Sequence, residues 1–94
     1  MTPEQELSRA GAAERILSDP LVIEAFTDIE KDVIDRLAIC DVRDSLHREK
    51  LCLMLTSLRL FRSVFEGHIE TGKMAAMTLE QKRNSLVLGG RKVF

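Results

Sequence analysis

Tryptophan and tyrosine are absent from these 94 residues, and phenylalanine occurs only four times. Tight small-molecule sites draw heavily on aromatic side chains, so a chain with so few is poorly equipped to form one. Cysteine is scarce as well. Cys40 and Cys52 lack the paired spacing of a metal or redox motif, so no disulfide framework is expected and a reducing compartment is implied. No apolar run approaches the ~20 residues that span a bilayer, and the N-terminus lacks the basic and apolar segments of a signal peptide. The expectation is a cytoplasmic protein with no membrane partner.

Residues able to do chemistry are equally thin. His47 and His68 are the only imidazoles, and on one helix their separation is ~31 Å, too far to share an ion within a chain. His47 and Cys52 face different sides of such a helix. Ser45, Ser57, Ser63, Cys40 and Cys52 have no activating motif around them, and neither a nucleophile elbow nor a phosphate loop occurs. Asp28 with Asp32, and Glu66 with Glu70, have helical spacing on polar faces and read as solvated surface, with Arg62 available to Glu66 four residues away. No catalytic residue, metal ligand or cofactor is therefore expected.

What the chain does contain is aliphatic residues in helical periods. Thr2, Pro3 and Gln5 form a helix start, with a hydroxyl cap, a proline where its missing N–H is harmless, and a reciprocal capping amide. This first helix is expected to reach about Leu17, with a thin stripe of Leu7, Ala10, Ala13, Ile16 and Leu17 interrupted by Gly11. Asp19 and Pro20 stop it and start a second helix over residues 20–39. There Val22, Phe26, Ile29, Val33 and Leu37 make an apolar face opposite Glu24, Asp28, Lys31, Asp32 and Asp35. After a connector at residues 40–44, Asp44 or Ser45 caps a long third helix expected to end near Ala76.

On that third helix Leu51, Met54, Leu58, Phe61, Phe65, His68 and Gly72 fall at alternating steps of three and four, the pattern of a lengthwise seam. The short connector makes the second helix its antiparallel partner. A further stripe, Leu46, Leu53, Leu60 and Val64, lies roughly 120–180° around the same helix. A two-helix hairpin cannot cover both. Leaving the four side chains in water would forfeit on the order of 6–10 kcal/mol, so either the first helix or, preferably, a second copy is expected to cover them. A chain this short buries only about 60% of its unfolded surface, and self-association is one way to add core.

Past Thr78 the pattern changes to polar and basic, then to two partly β-prone runs around Gly89 and Gly90. The expected fold is thus all-α: a helical domain over residues 1–77, consisting of an antiparallel hairpin with a short N-terminal helix, followed by an extended or small β-hairpin arm over residues 78–94. Charge supports a separate role for the arm. Residues 1–35, 36–72 and 73–94 carry −6, +1 and +4, so the basic tail suits an acidic partner or the acidic front of another copy. Lys82, Arg83, Leu86, Leu88, Arg91, Lys92, Val93 and Phe94 are the candidate partner-binding residues. Nucleic acid is the weaker partner for this cluster, because base-stacking aromatics are missing apart from Phe94. Met54 is expected in the seam, while Met74 and Met77 are candidates for an adaptable contact surface.

The segments Glu14–Phe26 (ERILSDPLVIEAF) and Arg48–Leu55 (REKLCLML), ending at Ile69–Lys73 (IETGK), resemble a family of small uncharacterised helical proteins encoded by tailed bacteriophages. The resemblance covers about residues 10–75 and rests mostly on helix-packing positions. Where that family carries an aromatic after the Arg48–Leu51 run, this chain has Cys52. The resemblance implies a product of the host bacterial cytoplasm or the virion, whose partners are itself and other phage or host proteins. Two roles follow: an assembly or structural component of head, connector or tail, and a host-directed binder or anti-defence inhibitor that sequesters a host protein or small ligand.

Overall fold

The computed structural model describes the backbone of residues 1–91 and the side chains of residues 1–86. It contains α1 (Pro3–Ser18), α2 (Pro20–Ile39) and α3 (Ser45–Arg91), with no strand among the described residues. The starts of all three helices follow from local chemistry. Gln5 N donates to Thr2 Oγ1 at 3.2 Å while Thr2 N donates to Gln5 Oε1 at 3.0 Å, the reciprocal cap expected of that spacing. Leu21 N donates to Asp19 Oδ1 at 2.8 Å with proline at the first position of α2. His47 N donates to Asp44 Oδ1 at 3.1 Å, which makes Asp44 the cap of α3. The connector is pinned by Arg43 N donating to Asp41 Oδ1 at 2.9 Å.

The end of α3 differs from expectation. Instead of stopping near Ala76 and giving way to an extended or β-hairpin arm, the helical backbone continues to Arg91. Thr78–Ser85 (TLEQKRNS) is rich in Leu, Glu, Gln, Lys and Arg, all good helix formers, and contains neither proline nor glycine to stop the ladder. Gly89 and Gly90 adopt no positive φ, so they do not form the turn a hairpin would need. Lys92, Val93 and Phe94 lie outside the described residues.

Two compact units share these helices. In the unit spanning Arg15–Val64, α2 runs antiparallel to the first half of α3: Phe26 meets Phe61, with ring centroids 6.2 Å apart, and Glu30 meets Arg59 at 3.8 Å. Phe26, Val33 and Leu51 are buried, and Val22, Leu37, Leu55 and Leu58 half-buried. Ile29, expected on the core face, remains largely exposed. The inward line of α3 here is Leu51, Leu55, Leu58 and Arg62, one residue away from the expected seam at two places. Met54 and Phe61 are displaced to its flank. Both lines satisfy steps of three and four, and the observed one gives Arg62 a core-lining slot, with its guanidinium carbon 4.8 Å from the centre of the Phe26 ring.

In the other unit, Met1–Glu14 packs against α3 from Phe65 onward. Ala10, Ala13 and Ala75 are buried together with Gly72. Small residues let the backbones approach closely, and a Cβ added at Gly72 would overlap the Cβ of Ala10. Gly67, on the same helix, has nothing within 4 Å of its own hypothetical Cβ.

These two glycines give opposite expectations for one substitution. Gly67→Ala should stabilise by up to about 1 kcal/mol through helix propensity alone. Gly72→Ala should lose about 1–3 kcal/mol because the overlap must be relieved by separating the helices. Denaturant titration followed by circular dichroism measures both, and equal stabilisation by the two variants would refute the close packing of α1.

Candidate functional site

Five turns of α3 carry an apolar face directed away from α2. Leu46, Leu53, Leu60 and Val64 are 63%, 59%, 65% and 53% exposed, so α2 does not cover the stripe. The geometry is simple: at 100° per residue these four lie about 180° from the inward line through Leu51, Leu55, Leu58 and Arg62. Met54 and Phe61, 50% and 59% exposed, join them because the core line passes through Leu55 and Arg62 instead. Phe61 stacks obliquely near Phe26, at an interplanar angle of 42°, while more than half of its surface stays exposed. Six large apolar side chains thus surround Ser57, itself exposed. At roughly 100 Å² each they form a patch of about 600 Å², at the upper end for a monomer and typical of interaction sites.

The spacing of Leu46, Leu53, Leu60 and Val64 made this stripe legible in the sequence. Met54 and Phe61 were not, since apolar residues at seam-compatible positions read as core. A second missed feature lies behind the patch. Glu30 forms ion pairs with Arg59 at 3.8 Å and Arg62 at 4.0 Å, and Arg62 also covers the Phe26 ring, in place of the surface pairing with Glu66 that the spacing suggested. These contacts brace α3 against α2 without closing over its outward face.

The remaining candidates are dispersed. Lys82, Arg83 and Leu86 are exposed on α3, Leu86 prominently so. Leu88 and Arg91 have helical backbone but side chains beyond those described, and Lys92, Val93 and Phe94 lie outside the described residues. Met74 and Met77 are exposed. Leu7, Ala76, Leu79, Glu80 and Arg83 line an open groove of about 500 Å³ in the unit built from α1 and the second half of α3. Its polar lining residues, Glu80 and Arg83, are exposed, so among the described residues no buried polar group orients a ligand there. Among the described residues, no three His, Cys, Asp or Glu side chains gather to hold a metal, and no helix is long and apolar enough to cross a membrane. His47 and His68 both lie on α3, the first exposed and the second half-buried.

Comparison with known proteins adds no assignment: no family model, no curated protein and no solved structure matches the chain.

The groove predicts where the C-terminal region becomes structural. Leu79 is half-buried in its wall, whereas residues 80–86 are exposed. Gln81→Ala should change unfolding free energy by less than about 0.5 kcal/mol. Leu79→Ala should cost about 1–2 kcal/mol through lost burial in the groove wall. Thermal and denaturant unfolding compare the two variants, and an equal effect would show that Leu79 is not part of the packed unit.

Proposed function

We propose that this chain is a non-catalytic protein-binding protein that self-associates through the outward face of α3. The observation that carries this reading is the cluster of Leu46, Leu53, Met54, Leu60, Phe61 and Val64, each at least half exposed, on a chain with few fully buried side chains. Covering them gains roughly 6–9 kcal/mol per copy. A pair gains this twice, which outweighs all but the upper end of the ~4–15 kcal/mol cost of association. Apart from Lys50 at its edge the face is apolar, and its centre is a serine without an acid or base partner among the described hydrogen bonds.

The phage resemblance extends this to a role: repeated copies acting as a head, connector or tail accessory, assembled in the host cytoplasm. Charge fits such use, with a basic C-terminal third able to attract the acidic front of a neighbour or another acidic protein. One observation favours the alternative of a host-directed binder, namely the open groove of about 500 Å³ beside Leu7 and Leu79, which has room for a short segment of a sequestered partner or a small ligand. Mass spectrometry of purified particles separates the two, since stoichiometric presence fits the assembly role and absence the host-directed one.

Self-association is tested by sedimentation equilibrium. Wild type should contain more than one copy at micromolar concentration, and Leu53→Glu with Leu60→Glu should be monomeric with its helicity retained, because both positions are exposed within the chain. A wild-type monomer at high micromolar concentration would refute it.

A further inference from the structure

The outward face of α3 has a symmetry that specifies how two copies meet. Resting on the self-association proposed above, we infer that the partner is a second α3 packed antiparallel across a twofold axis at Ser57. Leu53 and Met54 lie four and three residues before Ser57, and Leu60 and Phe61 three and four after it. Lys50 and Val64 lie seven before and seven after. A twofold interface must be self-complementary, each residue meeting a different residue of the other copy and the reverse. Centred on Ser57, the antiparallel arrangement places Leu53 and Met54 of one copy on Leu60 and Phe61 of the other, twice over. The small serine at the centre lets the helices approach.

Charge selects against the parallel alternative. There every residue faces its own equivalent, so Lys50, on the same face one turn before Leu53 and Met54, would oppose the second Lys50 beside the apolar contact. Like charges in that position are destabilising. In the antiparallel pair Lys50 lies along Val64 of the other copy, its stem covering the valine and its ammonium reaching solvent. Area is sufficient as well. Leu53, Met54, Leu60, Phe61 and Val64, at roughly 100 Å² each, give about 1,000 Å² over both copies, which reaches the ~1,000 Å² that a specific interface needs.

Thiol cross-linking in a Cys40→Ser, Cys52→Ser background tests the orientation, using oxidation and a short bifunctional maleimide on the full chain. Ser57→Cys should link to its own copy. Lys50→Cys and Val64→Cys should each fail alone, because equivalent residues then stand ~21 Å apart, while an equimolar mixture of the two should link efficiently. Self-linking of Lys50→Cys as strong as that of the mixture would overturn the antiparallel pairing and leave self-association standing. Absence of every cross-link in a protein that sediments as a dimer would place the interface elsewhere. A monomer by sedimentation would overturn both this inference and the reading it rests on.

Discussion

Burial of Leu51 sets the rotation of α3 about its own axis, and every other position in the first half of that helix follows from it. With Leu51, Val33 and Phe26 at the centre of the α2 pairing, Leu55, Leu58 and Arg62 must point inward and Leu46, Leu53, Leu60 and Val64 outward. A helix can offer α2 only one stripe. The Asp44 cap and the pinned connector fix where α3 begins, so the register cannot slide to exchange one stripe for the other. The exposed apolar face is thus a consequence of how the core is filled.

Arg62 shows how that filling is achieved. An arginine on the inward line would ordinarily weaken a core, but here its charged end reaches Glu30 and its plane covers Phe26. The stem supplies apolar contact and the guanidinium stays partly solvated, so the position costs little. Phe61 gives up its inward place as a result and becomes part of the outward surface. The same local arrangement that completes one side of α3 therefore enlarges the patch on the other.

Features governed by neighbouring residues were legible in the sequence. The Thr2–Gln5 box, the Asp19–Pro20 break and the Asp44 cap each involve groups within a few positions, and the helix starts appear where those residues place them. The choice between Met54 and Leu55, or Phe61 and Arg62, was not legible, because both alternatives keep the helical spacing and only the partner helix decides. The continuation of α3 past Ala76 was obscured for a related reason. Its polar residues have no inward stripe to mark a helix by periodicity, although their intrinsic propensities favour one. The outward stripe itself could be read, since its period is independent of the partner.

The central claim is that Met54 and its neighbours are covered by another copy of the chain. Methionine supplies a native reporter, because Met54 lies on the proposed interface whereas Met74 and Met77 are exposed farther along α3. Their oxidation by dilute peroxide, followed by peptide mass spectrometry across a hundredfold range of protein concentration, reads coverage directly. The account predicts that oxidation of Met54 slows as concentration rises while Met74 and Met77 keep their rates. Equal rates for Met54 at every concentration, in a range where sedimentation detects the oligomer, would contradict it.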